Sequence, residues 1–173
     1  MKNIRLLLFL LPLLSLNAEE WTRFRGPEGI GVTQQKDVPS KWDASSVIWR
    51  IDLPGYGQSS PVHWDGKLFL TAATNHGRTR HTLCIDKATG KILWERVCHK
   101  GVPKDKRHTK SSHANCTPAT DGKRVVTFFG SEGLYCHEFE GKLLWKRDFG
   151  ILDAAFFRVP RAQWGFASSP VIH

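Results

Sequence analysis

The sequence repeats one phrase, and this repeat limits the folds that the chain can adopt. The phrase "CIDKATGKILWERV" begins at Cys84, and the phrase "CHEFEGKLLWKRDF" begins at Cys136. Both copies start with a cysteine, pass through a glycine–lysine turn and reach a tryptophan, Trp94 or Trp145, after two aliphatic residues. A chain that repeats itself in this way is built from one supersecondary unit used several times, each packed against its neighbours.

The repeat also extends upstream of both phrases. Pro61 in "SSPVHWDGK" corresponds to Pro118 in "CTPATDGKR", and "SSPVIH" opens a third copy at Pro170. The segment "VIWRIDLPG" matches the closing part of the unit, with Trp49 in the tryptophan position. We therefore expect about two full units, a partial unit before them and the start of another after them.

Each full unit predicts four short antiparallel strands. "WDGK" and "TDGK" place Asp-Gly between apolar stretches, which is the strongest short-range signal for a hairpin. "LFLTAA" and "VVTFF" are rich in apolar, β-branched and aromatic residues, and "TLCID" alternates its side chains between two faces. No stretch after residue 18 shows helical periodicity. The sequence predicts an all-β fold.

Repeated quartets of strands fit a β-sandwich or a radial β-propeller. The quartets of a sandwich need not resemble one another, whereas every blade of a propeller lies between equivalent neighbours. The repeat therefore favours a propeller made of four-stranded antiparallel blades. In such a ring, the segment around Trp49 would be the outer strand of a closing blade.

The repeated phrase resembles the tryptophan-docking motif of quinoprotein-type propellers. The front of the chain, "WTRFRGPEGIGV", is similar to the start of exported bacterial proteins with a pyrroloquinoline-quinone (PQQ)-binding-like β-propeller domain, a family that includes outer-membrane assembly factors. The second copy departs from the motif, because Glu138 replaces the aspartate and the turn is one residue shorter. The resemblance implies a ring of about eight blades, of which this chain is an N-terminal part.

The resemblance also implies a structural role for the motif residues. In that family, the tryptophan of each outer strand packs between adjacent blades, and its indole N–H finds a backbone acceptor. We therefore expect Trp94 and Trp145 to bury large apolar areas between blades. No catalytic, cofactor-binding or metal-binding residue is assigned. The structural motif consists of Cys84, Asp86, Thr89, Gly90, Trp94, Cys136, Gly141, Trp145 and Trp49.

The first 18 residues have the pattern of a secretory signal peptide. A basic start, "MKNIR", precedes the apolar run "LLLFLLPLLSL" and a small residue at Ala18. The run is shorter than the roughly 20 apolar residues that span a bilayer. We expect cleavage near Ala18, a periplasmic or secreted location and no integral membrane segment.

These boundaries divide the chain into five expected parts. They are a signal peptide (1–18), an N-terminal arm with the outer strand of the closing blade (19–58), blade 1 with a basic loop (59–113), blade 2 (114–165) and the start of blade 3 (166–173).

The chain has a formal net charge of +9, which raises the question of nucleic-acid or acidic partners. An exported protein rarely meets nucleic acid, so we expect no nucleic-acid partner. The basic residues are dense only in residues 99–113, which we interpret as a solvated loop in which His113 is also solvated. Four cysteines permit disulfides in an oxidising compartment, and Cys98 and Cys116 flank this loop in a way that would let them pair.

Two functional hypotheses remain open. The first is a non-catalytic propeller scaffold, monomeric as a complete ring, that binds an envelope or secreted protein or a small ligand through loops between its blades. It would need no cofactor in this segment. The alternative is a PQQ-dependent, alcohol dehydrogenase-like oxidoreductase whose active site lies mainly in other blades. This chain has no Cys-Cys pair, and its acidic residues do not have the spacing of a calcium loop.

Overall fold

A computed structural model describes residues 19–36 and 38–173 of the chain. The expected signal peptide, residues 1–18, lies outside the described residues. Within the described ranges, none of the helices is both long enough and apolar enough to cross a membrane.

Two four-stranded antiparallel sheets and one separate hairpin form the fold. The first sheet contains, in this order, β1 (Val62–Trp64), β2 (Lys67–Thr74), β3 (Thr79–Asp86) and β4 (Ile92–Lys100). The second contains β5 (Ala119–Thr120), β6 (Arg124–Phe128), β7 (Leu134–Glu138) and β8 (Leu143–Arg147). The hairpin pairs β9 (Ala155–Phe156) with β10 (Val159–Gln163). The all-β prediction and the two predicted quartets are confirmed, whereas closure into a ring stays a prediction.

The turn between β1 and β2 forms as its sequence predicts. Asp65 and Gly66 both have positive φ, 44° and 70°, and the flanking residues Trp64 and Lys67 pair across the hairpin. A two-residue turn with positive φ at both positions has the twist that antiparallel strands need, which is why Asp-Gly is favoured there. The short 3-10 turns at Ala44–Ser46, Asn75–Gly77 and Gly130–Glu132 are the helical elements of the described chain.

The repeated phrase folds in the same way in both sheets. Trp94 in β4 pairs with Cys84 in β3, and Trp145 in β8 pairs with Cys136 in β7. A register shift follows each of the two cysteines, at Cys84/Ile85 and at Cys136/His137. The two sheets are therefore structural copies as well as sequence copies.

The cores of the protein lie between the two sheets. One cluster of buried side chains brings the first sheet against the second and consists of Val62, Phe69, Cys84, Trp94 and Val125. Trp64 and Phe139 pack against its edge. Another cluster lies nearer the opposite ends of the strands and consists of Ala73, Ala114, Phe129 and Tyr135.

The N-terminal arm reaches the first sheet at two isolated bridges. Trp21 pairs with His63, and Tyr56 pairs with Ala73. Residues 47–55 pair with no strand in the described part of the chain, so the outer strand that we expected around Trp49 stays a prediction.

Residues 101–113 form a loop whose lysines are exposed, as predicted, whereas residues 99–100 belong to β4, and the expectation that the segment is poorly packed is wrong. The backbone N–H of Lys104 donates to Glu132 Oε1 at 2.8 Å, and Asp105 Oδ2 accepts a hydrogen bond from Ser131 Oγ at 2.8 Å. Ser112 is buried at the far end of the segment. The segment packs because Glu132 and Ser131, in the turn between β6 and β7, form hydrogen bonds with its backbone and with Asp105. The number of charged residues in the segment does not reveal these partners.

The disulfide that the sequence permits between Cys98 and Cys116 does not form, and all four cysteines are free thiols. Cys98 Sγ lies 3.2 Å from Thr82 Oγ1 in the first sheet. Cys116 Sγ instead donates to the carbonyl oxygen of Phe166, at 3.5 Å. The two thiols therefore have different partners, although they flank the same loop in sequence.

Candidate functional site

The strands of each sheet end at two opposite faces. The turn face carries the hairpin turns at residues 65–66, 87–91, 121–123 and 139–142. The connection face carries the turns at residues 75–78 and 129–133, together with the two long connections, residues 101–118 and 148–169. This arrangement follows from the strand order, because consecutive antiparallel strands place alternate turns at opposite ends.

The predicted motif residues lie at the turn face. The Trp94 indole N–H donates to the carbonyl oxygen of Phe139 in the second sheet, at 3.2 Å, and Trp94 is 7% exposed. Its ring lies over Gly141, where a Cβ atom would be 2.8 Å from Trp94 Cδ2. Gly141 also has a φ of 89°, so this position favours glycine for two independent reasons.

Trp49 makes the same contact one unit earlier. Its indole N–H donates to the carbonyl oxygen of Lys87 at 2.8 Å, and a Cβ at Gly90 would be 2.6 Å from Trp49 Cε3. Asp86 and Thr89 shape this turn, because Asp86 Oδ1 accepts hydrogen bonds from both the N–H and the hydroxyl of Thr89 at 2.7 Å. These hydrogen bonds lower the pKa of Asp86.

The remaining motif residues have different surroundings. Cys84 and Cys136 are fully buried, and burial raises the pKa of the Cys84 thiol to about 12. Trp145 is 43% exposed and lines a groove of about 510 Å³ together with residues 168–172. The expected burial of Trp145 between blades thus stays a prediction, as does the structural role assigned to the whole motif.

The connection face contains a buried ion pair that the sequence analysis missed. Arg80 Nη2 in β3 lies 2.9 Å from Glu132 Oε2 in the turn between β6 and β7, and both side chains are at most 1% exposed. The pair therefore joins the two sheets. Each residue lies four positions before the repeated cysteine, so equivalent positions of consecutive units carry opposite charges.

His113 extends this pair into the first long connection. Its Nδ1 lies 3.1 Å from Arg80 Nη2, and accepts a hydrogen bond from it when the ring is neutral. Burial, reinforced by the positive charges of Arg80 and Arg107, lowers the pKa of His113 to about 4. Because the ring stays neutral at ordinary pH, it can act as the acceptor that the guanidinium requires.

A small cavity of about 20 Å³ lies beside the ion pair. It is lined in part by Asp105, His113 and Glu132, and this volume is enough for one water molecule. Burial raises the pKa of Asp105, although its hydrogen bond from Ser131 opposes this effect. The cluster is too enclosed to receive a larger ligand. Its ion pair and hydrogen bonds instead hold the two sheets together.

An open pocket of about 470 Å³ lies on the same face, and we take it as the candidate binding site because polar side chains of consecutive units line it. Its wall contains a repeated hydrogen bond: Ser60 N–H donates to Thr117 Oγ1 at 3.1 Å, and Thr117 N–H donates to Ser169 Oγ at 3.0 Å. Each of these residues directly precedes the proline that opens a unit. The hydroxyl side chains thus join three consecutive units along the pocket wall.

The rim of the pocket combines a fixed backbone with exposed side chains. Gln58 bridges the connection, since its Nε2 donates to Lys110 O at 3.0 Å and its Oε1 accepts from Ser112 N at 3.1 Å. The rings of His108 and Trp164 stack with centroids 4.7 Å apart and an interplanar angle of 14°. Trp164 is 54% exposed, and Lys110 is also exposed. An aromatic surface, a cation and hydroxyl groups together suit a polar or acidic ligand segment.

The part of the chain that the structure describes contains no group of three or more His, Cys, Asp or Glu residues arranged to hold a metal ion. The opposite charges at Arg80 and Glu132 could have been found by aligning the repeat units. The stack of His108 on Trp164 joins residues far apart in sequence at non-equivalent positions, and no local pattern signals it.

The chain was also compared with known proteins. A family model described as "Outer membrane protein assembly factor BamB" matches residues 29–149. This range includes Trp49 and both four-stranded sheets, but ends before the separate hairpin. None of the curated proteins matches the chain. Because the match covers more than half of the sequence, the chain belongs to the BamB-type family of PQQ-like β-propeller repeats.

Proposed function

We propose that this protein is an exported, non-catalytic propeller scaffold that binds another envelope or secreted protein at the pocket on its connection face. The family is named for an assembly factor of outer membrane proteins, and assembly factors act by binding other proteins. Export is supported by the signal-peptide pattern of residues 1–18.

The observation that carries the proposal is the contrast between the wall and the rim of the pocket. The hydrogen bonds from Ser60 to Thr117 and from Thr117 to Ser169 fix the wall. The rim exposes Trp164, which is already held in place by its stacking on His108. A side chain that is ordered before binding loses little conformational entropy on binding, and tryptophan is enriched among residues that dominate binding energy.

The alternative, a PQQ-dependent oxidoreductase, requires a site for a planar quinone with three carboxylates. The pocket lining contributes Lys110 as a cation and His108 as a further titratable donor. The side chains of Gln58 and Thr117 are already engaged with backbone groups. This donor set does not match three carboxylates, so we assign no chemical step to the pocket.

Site-specific crosslinking in cells tests the proposal. A photo-reactive amino acid placed at Trp164 should yield a discrete crosslinked protein from the cell envelope. The same group placed at Ile48, which is 87% exposed and adjoins Trp49 at the turn face, is the matched control and should yield none. Equal crosslinking at both positions, or no product at Trp164, would contradict binding at the pocket.

The expected export is tested separately. Mass spectrometry of protein recovered from the cell envelope should find a mature N-terminus near Glu19. An intact Met1 would overturn the assignment of an exported protein.

A further inference from the structure

The β9–β10 hairpin lies outside both four-stranded sheets. Its base is fixed by Asp153, whose Oδ1 accepts hydrogen bonds from Ala155 N and from Gln163 Nε2, both at 2.9 Å. Phe157 and Arg158 form the tip between the paired residues Phe156 and Val159. The hairpin is therefore an anchored projection on the connection face.

The projecting end consists of six consecutive exposed residues, 156–161. Three of them are large and apolar: Phe156, Phe157 and Val159 are 48%, 78% and 50% exposed. The two phenyl rings lie 4.9 Å apart, and the Arg158 guanidinium lies 5.3 Å from the Phe157 ring centroid. The two phenyl rings and the Arg158 side chain lie close together, and about half or more of the surface of each apolar side chain stays in water.

Residues 156–161 contain two charged residues, and both are arginines. Arg158 and Arg161 are exposed, and neither forms an ion pair with any residue in ranges 19–36 and 38–173. The stacking of His108 on Trp164 brings the basic first connection, which includes the exposed Lys110, beside the base of the hairpin. The projection is therefore both apolar and positively charged. Near its base, Lys110 adds a positive charge and Asp153 contributes a negative one.

This combination favours a lipid surface over a protein partner. Protein partners usually bury aromatic anchors of this kind in a shaped pocket, so binding requires a complementary cavity on the other side. A bilayer interface accepts a convex aromatic tip without such a cavity, and anionic headgroups attract the basic residues beside it. Phenylalanine together with lysine or arginine is typical of amphipathic segments that bind at the membrane interface.

We propose that the β9–β10 hairpin binds anionic phospholipid membranes, with Phe156 and Phe157 inserted at the headgroup level and Arg158 and Arg161 bound to headgroup phosphates. The hairpin residues are distinct from those of the pocket to which we assign protein binding. The two proposals therefore stand or fall separately, since crosslinking at Trp164 and vesicle binding report on different contacts.

Vesicle co-sedimentation of the mature protein, without the expected signal peptide of residues 1–18, tests the proposal, because the apolar run of that peptide would itself bind membranes. The protein should sediment with phosphatidylcholine vesicles that contain phosphatidylglycerol, should not sediment with pure phosphatidylcholine, and should be released by salt. Arg158→Glu/Arg161→Glu should weaken binding by at least about tenfold, since each basic residue near an anionic surface contributes about fivefold. Phe156→Ser/Phe157→Ser should weaken it by a similar factor, because it removes the inserted apolar area.

A matched control changes an apolar and a basic residue elsewhere. Ile48→Ser/Arg50→Glu alters two exposed residues that flank Trp49 at the turn face, and should leave vesicle binding unchanged. All three variants should keep the melting temperature of the wild type, because the changed side chains are exposed. Equal loss of binding in the control and the hairpin variants would overturn the assignment to the hairpin.

A direct measurement of insertion completes the test. Phe157→Trp should give a blue-shifted fluorescence component on phosphatidylglycerol vesicles, quenched by lipids brominated near the headgroup. The absence of quenching would overturn insertion. If the protein bound poly-glutamate through the same arginines but did not bind vesicles, the hairpin would be a site for acidic protein, and the membrane assignment would be wrong.

Discussion

Trp94 in β4 and Gly141 in the turn between β7 and β8 are in direct contact, and the space between them is too small for a side chain at position 141. A Cβ at Gly141 would lie 2.8 Å from Trp94 Cδ2, and the indole N–H of Trp94 donates to the Phe139 carbonyl oxygen at 3.2 Å. Trp49 and Gly90 repeat this relationship one unit earlier. Each unit thus places a flat aromatic ring on the glycine of the next turn, which makes glycine a requirement of the interface.

We predict that Gly141→Ala destabilises the protein more than Gly150→Ala does. Both glycines have positive φ, 89° and 72°, so both substitutions incur a backbone cost of about 1–2 kcal/mol. A Cβ at Gly150 meets no atom within 4 Å, whereas at Gly141 it collides with the indole and adds about 1–3 kcal/mol. Denaturant unfolding measures the difference in unfolding free energy between the two variants. Equal losses would contradict the prediction, because they would show that the Trp94 indole can move away from the added methyl group.

The two repeated tryptophans should differ in their contribution to stability in this chain. Trp94 is 7% exposed and Trp145 is 43% exposed. Trp94→Ala should therefore cost about 3–5 kcal/mol of unfolding free energy, the usual range for a buried large aromatic, and Trp145→Ala roughly half as much. Denaturant melts of both variants decide this. A silent Trp94→Ala would contradict the role that we propose for the motif.

Removing one partner of the Arg80–Glu132 ion pair should lower the free energy of unfolding more than removing both charged side chains does. Arg80→Met leaves a buried carboxylate without its partner and should cost about 3–5 kcal/mol. Arg80→Met/Glu132→Leu removes both buried charges, and replacements of this kind are often close to neutral. A double-mutant cycle in urea measures the coupling. Additive costs of the single substitutions would mean that the two side chains are not coupled.

The strands of this protein could be predicted because their signals are local and occur twice. Asp65 and Gly66 specify a hairpin by their backbone preferences alone, and the repeat supports the assignment by showing the signal again at Gly122. The turns that hold the motif glycines follow from the same kind of evidence. Closure of a ring depends on contacts beyond any single unit, and local signals do not establish it.

The connection face could not be predicted in the same way. Residues 99–113 have the composition of a solvated loop, but the segment packs against the turn between β6 and β7. Glu132 accepts a hydrogen bond from the backbone of this segment, and Ser131 donates one to the side chain of Asp105. Similarly, Cys98 and Cys116 flank this segment in sequence while their thiols contact Thr82 and Phe166. In both cases, partners that are distant in sequence decide the outcome.

The thiols of Cys98 and Cys116 should resist alkylation in the folded protein. Burial raises their pKa values to about 11 and about 12, so the reactive thiolate is scarce at neutral pH. Iodoacetamide followed by mass spectrometry should label neither cysteine in native buffer and both in denaturant, without prior reduction. A mass lower by two hydrogens, with no labelling in denaturant, would reveal the disulfide that the structure does not contain.

Stability should fall as the pH is lowered from about 6.5 towards 4, because two histidines must stay neutral in the folded protein. Burial lowers the pKa of His113, with help from Arg80, and that of His137, each to about 4, whereas an unfolded histidine titrates near 6.5. The unfolded state therefore binds protons first, and the stabilisation, which is complete above pH 6.5, is lost as the pH falls through this window. For one histidine the loss is at most about 3 kcal/mol.

Urea melts between pH 4 and 7 measure this dependence, and His113→Gln isolates one of the two groups. Glutamine can still accept a hydrogen bond from Arg80 but does not titrate, so the variant should lose less stability on acidification than the wild type. His76→Gln, which changes an exposed histidine on the neighbouring turn, is the matched control and should keep the wild-type dependence. Parallel curves for His113→Gln and the wild type would show that His113 is free to accept a proton in the folded protein, in conflict with its place beside the buried guanidinium.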